Sequence, residues 1–244
     1  MLRPPVLDLG DALFLDLDGT LAPIAPRPDD VPFDPRLAKL MARLEDAMDG
    51  AVAVISGRPV EDIRRILGGA PLAIGAVHGL VRHLPGGRIV AAAPCPQLAE
   101  ARESLRALTE AWPGLLLEDK GLGVALHFRQ APEAEAAVKA ATASVAARWN
   151  LVRQDGAMVC ELRAPGGGKG EALAAFLRER PFVGRRPVMV GDDLTDEHGF
   201  AAAISGGGYG VLVGPPRASA ARYRLEDAEA VIAWLSAGLA ADAA

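Results

Sequence analysis

Three short apolar runs, each ending abruptly in a polar cluster, limit the folds open to this chain. Ala12-Leu13-Phe14-Leu15 runs into Asp16-Leu17-Asp18-Gly19-Thr20, and Ala51-Val52-Ala53-Val54-Ile55 runs into Ser56-Gly57-Arg58. Pro187-Val188-Met189-Val190 runs into Gly191-Asp192-Asp193. Unbroken runs of this length suit strands buried on both faces, as in parallel sheets. Between them lie helical patterns: Leu37, Leu40, Met41, Leu44 and Met48 recur at spacings of three and four, as do Leu173, Phe176 and Leu177. Strand and helix in alternation imply an α/β fold with an open parallel sheet, whose ligands gather at the carboxyl ends of the strands. All three polar clusters fall at such ends.

The middle of the chain breaks this rhythm. Pro94-Cys95-Pro96 and Pro165-Gly166-Gly167-Gly168 read as linkers. Between them the pattern predicts helices near 97–111 and 132–148, and strands near 115–119, 122–129, 150–154 and 157–163. The expected division is an α/β core of residues 1–95 and 164–244, with a small α+β unit of residues 96–163 inserted into it. Alternation in Val124 to Arg129 puts Val124, Leu126 and Phe128 on one face and His127 and Arg129 on the other. In the same way Glu161 and Arg163 lie opposite Cys160 and Leu162. A sheet with helices on one face and a polar opposite face can serve as a lid over a site.

Composition narrows the class of function. A net charge of −5 argues against a nucleic-acid binder, which needs a basic face to meet phosphates. No apolar run approaches the roughly 18 residues of a membrane span, and Asp8, Asp11 and Asp16 interrupt the N-terminal apolar stretch, unlike a signal peptide. Cys95 and Cys160 form no CxxC pair and suit a reducing compartment. The expectation is a cytoplasmic enzyme with no nucleic-acid or membrane partner, acting as a monomer.

Asp16-x-Asp18-Gly19-Thr20 carries the clearest chemistry. An EF-hand loop would need glycine at its sixth position, which is Leu21, and a helix where the strand stands. Two carboxylates two residues apart past a strand end can divide two jobs, one as an ionised nucleophile and one as a proton donor to a leaving group. Asp192 and Asp193 open an acidic loop that reaches Glu197. Oxygen ligands of this kind suit a hard cation such as Mg²⁺. Ser56 and Lys169 could aim donors at a phosphoryl group, whose charge spreads over its equatorial oxygens during transfer. Gly166 to Gly170 is not a Walker A loop, because Arg163 stands at its first position and Gly170 replaces the Ser or Thr. Gly206-Gly207-Gly208-Tyr209-Gly210 does not complete G-x-G-x-x-G, so nucleotide binding finds no support.

FLDLDGT resembles the first motif of the haloacid dehalogenase superfamily of phosphatases and phosphotransferases. That resemblance implies a Rossmann-like core with an inserted cap. In it Asp16 is the nucleophile that becomes an aspartyl phosphate. Asp18 protonates the departing alkoxide and then activates water. Ser56 matches the second motif, Lys169 the third, and Gly191-Asp192-Asp193 the acidic fourth. A Mg²⁺ ion would take ligands from Asp16, the backbone carbonyl of Asp18 and Asp192, with Asp193 orienting a ligand or water and Thr20 fixing the loop.

A narrower resemblance covers most of the chain. FLDLDGTLAPI, VISGRP, GAVHG, LEDKGLGVALHFRQAP, ELRAPGGGKGEAL and GDDLTDEHGF, in that order, are similar to the trehalose-6-phosphate phosphatase family. The resemblance implies hydrolysis of trehalose 6-phosphate to trehalose and inorganic phosphate, in trehalose biosynthesis. It carries Gly57, Arg58, Glu118, Lys120 and Glu161 over as substrate-binding residues. A carboxylate can accept two hydrogen bonds from neighbouring sugar hydroxyls while a lysine donates, and phosphate is a second target for Lys120. His127 and Arg129 either touch sugar or pair with carboxylates of the insert. The family commonly has a glutamate two residues after the His-Gly of its GxHG segment; here that position is Val81. Three rival readings remain: a phosphatase for sucrose phosphate or mannosylglycerate phosphate, a phosphosugar mutase, and a binding module without catalysis.

Overall fold

In the computed structural model, which describes residues 1–25, 27–156 and 158–241, the chain forms two compact units, Met1–Ala91 with Gly167–Ala244 and Ala92–Gly166. The expected insert, 96–163, lies inside the second. Ala157, the first residue of one expected strand, falls outside the described residues.

The first unit is built on an eight-stranded sheet. Its strands and helices follow in chain order as β1 (Ala12–Leu15), α1 (Pro35–Ala47), β2 (Val52–Ile55), α2 (Val60–Ile66), β3 (Ala73–Ala76), β4 (Val81–His83) and β5 (Ile89–Ala91). In the second unit come α3 (Gln97–Ala111), β6 (Leu116–Asp119), β7 (Gly123–His127), α4 (Glu135–Trp149), β8 (Val152–Gly156) and β9 (Val159–Arg163). The chain then returns through α5 (Lys169–Phe176), β10 (Pro187–Gly191), α6 (Glu197–Ser205), β11 (Tyr209–Val213), β12 (Tyr223–Leu225) and α7 (Ala228–Ala241).

Strand order in the large sheet is β12-β11-β10-β1-β2-β3-β4-β5. Neighbours from β12 to β3 run parallel; β4 and β5 close the edge as an antiparallel hairpin. The chain leaves β1 toward β2 on one side and later builds β10 on the other. The crevice at the carboxyl end of β1 is therefore the topological switch point, where α/β sheets bind ligands.

Both faces of β1 are covered. Phe14 joins a core cluster with Ile55, Leu173, Phe176, Met189 and Phe200. Leu13 and Leu15 point the other way and are equally inaccessible. Helix α1 starts after Asp34, whose carboxylate caps the Arg36 N–H at 2.8 Å, and buries Leu37, Leu40, Met41 and Leu44 as the spacing predicts. Beneath the sheet, the rings of Phe14, Phe176 and Phe182 meet with centroids 5.2 to 6.2 Å apart.

The second unit is a four-stranded antiparallel sheet, β6-β7-β9-β8, against which α3 and α4 pack. Its register pairs Val124 with Leu162 and Leu126 with Cys160, all buried. The opposite face carries a row of Glu118, Ala125, Glu161 and Gln154, with His127 and Arg163 on the same face. No helix among the described residues is long and apolar enough to cross a membrane.

Removing one ring of the aromatic trio should leave a cavity that the close-packed sheet cannot collapse into. Phe176→Ala is expected to cost about 3–5 kcal/mol of stability in chemical denaturation; a loss below about 1 kcal/mol would show that the trio is not a rigid part of the core.

Candidate active site

The loop after β1 places the first carboxylates. The Asp16 N–H donates to the Val190 carbonyl at 2.9 Å, continuing the pairing of β1 with β10. The chain then folds back on itself: Leu21 and Ala22 N–H groups both donate to the Leu17 carbonyl at 2.9 Å, and Gly19 N–H donates to Ala22 at 2.7 Å. Gly19 adopts φ +82°, and a Cβ there would stand 2.2 Å from Asp192 Oδ2. Glycine is thus required both by the turn and by the approach of Asp192. Thr20 is fully buried, its hydroxyl 3.5 Å from Asp16 Oδ2, at the outer limit of a hydrogen bond.

Lys169 is the first residue of α5, and its side chain is buried rather than solvated. Its Nζ donates to Asp16 Oδ1 and to Asp196 Oδ1, each at 2.7 Å. Burial works against the ammonium charge, but the two carboxylates outweigh it and hold the pKa above that of an ordinary lysine. Asp16, Asp192 and Asp196 bring ligand-capable oxygens within 4.8 Å of one another. When all ionise, three carboxylates against one ammonium leave two negative charges uncompensated. Burial, followed by the charge of Asp196, raises Asp192 to a pKa of about 6. Burial likewise lifts Asp16 well above the usual carboxylate range, helped by Asp196 and Asp192 and opposed by Lys169.

A divalent cation fits this donor set. The oxygens are hard, the charge excess is that of one dication, and Asp192 Oδ1 is buried with no hydrogen-bond partner among the described residues.

Asp196 is the residue that sequence reading passed over. It is completely buried, and its Oδ2 accepts the N–H groups of Asp192 (3.1 Å) and Asp193 (3.0 Å). Gly191 makes room for it, since a Cβ there would lie 2.2 Å from the Asp196 carboxyl carbon. The side chain of Asp193, expected to orient a ligand or water, caps the turn that follows, its Oδ1 accepting the Leu194 N–H at 2.6 Å. Together Asp193 and Asp196 form a capping box. Their spacing of three residues was the available signal.

Ser56 and Arg58 follow β2. Ser56 is buried, and its Oγ accepts the Arg58 N–H at 3.2 Å. The Arg58 guanidinium grips Asp18 through two parallel bonds of 2.7 Å and donates to the Pro28 carbonyl at 2.8 Å. The GAVHG segment laces this loop to the start of α5: Val77 N–H donates to Arg58, His78 N–H to Ser56, and Gly168 N–H to His78. Val77 (φ +47°) and His78 (φ +55°) are both left-handed, which is rare for a branched residue and is sustained by those bonds. The His78 ring lies over Gly57, where a Cβ would come 2.5 Å from Nε2. Neither His78 nor this strap was singled out from the sequence by its chemistry.

In the second unit, Lys120 Nζ donates to Glu161 Oε2 at 2.7 Å, with both side chains buried. His127 Nε2 lies 2.8 Å from Glu118 Oε2, so His127 pairs with a carboxylate of the insert. Burial disfavours the Glu118 charge, but His127 and Lys120 more than compensate and lower its pKa.

Residues 14–229 match the family model described as trehalose-phosphatase. A protein of Sinorhizobium fredii (strain NBRC 101917 / NGR234) named as a probable trehalose-phosphate phosphatase is 39% identical over 225 residues, spanning 90% of this chain and 84% of its own length. The trehalose-6-phosphate phosphatase of Escherichia coli K12 is 38% identical over 233 residues, 95% of this chain and 87% of that protein. A crystal structure described as a trehalose-6-phosphate phosphatase related protein superposes with a TM-score of 0.81 at 27% identity, over 95% of this chain and 98% of its own.

The crowding of carboxylates should cost stability when no cation is bound. Asp192→Asn is expected to raise the stability of the metal-free protein by about 1–2 kcal/mol near neutral pH. Because the folded pKa is raised to about 6, the advantage should be complete above that pH and should fade as pH falls toward 3.8. Thermal melts in a chelator across this range check it; a variant less stable than the parent near neutral pH would contradict it.

Proposed function

Since the chain belongs to the trehalose-phosphatase family, we propose that it hydrolyses trehalose 6-phosphate to trehalose and inorganic phosphate through an aspartyl phosphate. The observation that carries the chemistry is Asp16 at the switch point of a haloacid dehalogenase-type core, fixed at 2.7 Å by a buried lysine. An Asp16 oxygen attacks phosphorus, and the bond from phosphorus to the sugar oxygen breaks. Asp18 gives its proton to the departing alkoxide, then takes one from the water that releases phosphate from Asp16. The Lys169 ammonium and Ser56 hydroxyl supply donors for the equatorial oxygens. Asp18 starts as the carboxylate that Arg58 holds, so it turns away from Arg58 and takes up a proton from solvent before it reaches the leaving oxygen, which frees that guanidinium for the substrate beside Gly57.

Asp16, the Asp18 carbonyl and Asp192 would hold Mg²⁺, which supplies charge that lets an anionic nucleophile meet an anionic phosphate. Asp193 and Asp196 are proposed to orient the loop around Asp192, with Asp196 also holding Lys169, and Thr20 steadies Asp16. In the inserted unit, Glu118, Lys120 and Glu161 are proposed to bind the sugar hydroxyls. The Lys120–Glu161 pair supports this, because a buried ion pair on a polar face is poor value for stability and good value for recognition. Cys95 and Cys160 are both free thiols, which supports a cytoplasmic setting.

Phosphate release from a panel of trehalose, sucrose, mannosylglycerate and glucose phosphates, with and without Mg²⁺, tests the assignment. The trehalose ester should be hydrolysed fastest, and Asp16→Asn should lower that rate by roughly 10³-fold or more while the protein stays folded. Equal rates across the panel would sink the substrate, and an active Asp16→Asn would sink the nucleophile. Glu161→Ala should slow trehalose 6-phosphate hydrolysis by roughly 10²-fold and a small aryl phosphate far less. Equal losses on both would make Glu161 structural.

A further inference from the structure

We infer that Arg217 is a positioning residue for the cation cradle, holding the Asp192–Asp193 backbone so that the Asp192 carboxylate stays aimed at its neighbours. The inference rests on the reading of Asp16, Asp192 and Asp196 as a divalent-cation site. Arg217 lies in the segment between β11 and β12. Its Nη2 donates to the carbonyls of Asp193 (2.9 Å) and Asp192 (3.3 Å). Its Nη1 donates to the Ala218 carbonyl at 3.1 Å and to the Glu197 carboxylate at the start of α6. Glu197 is itself secured, since its Oε2 accepts the Ala220 N–H at 2.8 Å.

The same two residues are held from the other direction by Asp196, which accepts both of their N–H groups. Donors and acceptors of Asp192 and Asp193 are therefore satisfied on opposite sides of the chain, by side chains from two different segments. This matters because the cluster is under internal repulsion: the charges of Asp196 and Asp193 both disfavour an ionised Asp192. A loop free to relax would let Asp192 swing away, and a cation would then have to restore order as it bound. The planar fork meets three carbonyls and a carboxylate from two separate nitrogens, a spread that the single nitrogen of a lysine ammonium does not match. Partners of this kind behind a metal ligand typically carry tenfold or greater effects on affinity.

The test uses Mn²⁺ as a spectroscopic probe, with free ion measured by electron paramagnetic resonance during titration of the whole chain. Arg217→Ala should weaken Mn²⁺ binding by about tenfold or more, while kcat at saturating Mg²⁺ recovers to within a few-fold of the parent. Arg217→Lys, a milder change should the alanine variant fold poorly, should weaken binding as well. Arg185→Ala is the control for general loosening, because Arg185 makes similar bonds to the Leu9 carbonyl and Asp49, in the loops that precede β1 and β2. The inference fails if both Arg217 variants bind Mn²⁺ as the parent does or more tightly, or if Arg185→Ala weakens binding equally. A parent protein that takes up no Mn²⁺ would overturn the cation site and this inference with it.

Discussion

A single buried ammonium organises the catalytic end of this protein. Lys169 sits between Asp16 and Asp196 with 2.7 Å to each, and it joins three segments that are remote in sequence: the end of β1, the start of α5 and the loop after β10. Burying one carboxylate without such a partner costs several kcal/mol. Burying two, with a third partly buried beside them, is tolerable only if positive charge is supplied in the same place. Lys169 supplies part of it and leaves a deficit, so the cluster is stable enough to form and still short of neutrality. A bound dication would make good that shortfall.

Close approach is the second condition, and glycine provides it. Gly19 admits the Asp192 carboxylate, Gly191 admits Asp196, and Gly57 admits the His78 ring. At each place a methyl group would stand within about 2.5 Å of its neighbour. The strap through Val77 and His78 adds rigidity at some conformational cost, since left-handed residues other than glycine are worth roughly 1–3 kcal/mol of strain each. The loops after β2 and before α5 are tied together by that strap, which links the backbone at Ser56 to the backbone just before Lys169.

The inserted unit obeys a different logic. Its apolar face, with Val124, Leu126, Cys160 and Leu162, is what makes it fold. Its polar face carries the pairs Glu118–His127 and Lys120–Glu161, which fix carboxylate, imidazole and ammonium groups in place on that face. On the proposed reading, the core carries the charge chemistry and the insert the hydroxyl recognition, a division that would let one phosphatase scaffold serve different sugars.

Apolar periodicity and the Pro and Gly breaks around the insert made the parallel sheet and the inserted α+β unit legible; the edge strands β4, β5 and β12, three residues each, are too short to show a period. Apolar runs such as Ala12 to Leu15 permit little except a doubly covered strand, and the alternation of Val124 to His127 permits only one face to be apolar. Asp16 and Asp192 stand in acidic clusters at strand ends and were legible there; Lys169, after a glycine run, reads alone as a solvated lysine and stood out through its resemblance to the family's third motif. Asp196, His78 and Arg217 were not, for a physical reason. Each acts through contacts with partners chosen by the fold: a backbone N–H pair, a glycine on another loop, two carbonyls from a neighbouring turn. Local sequence sets the dihedral preferences and the side on which a residue emerges. Whether a lone arginine or aspartate is solvated or buried against its partners is set by strand order and loop closure, which bring together charges that the linear chain keeps dozens of residues apart.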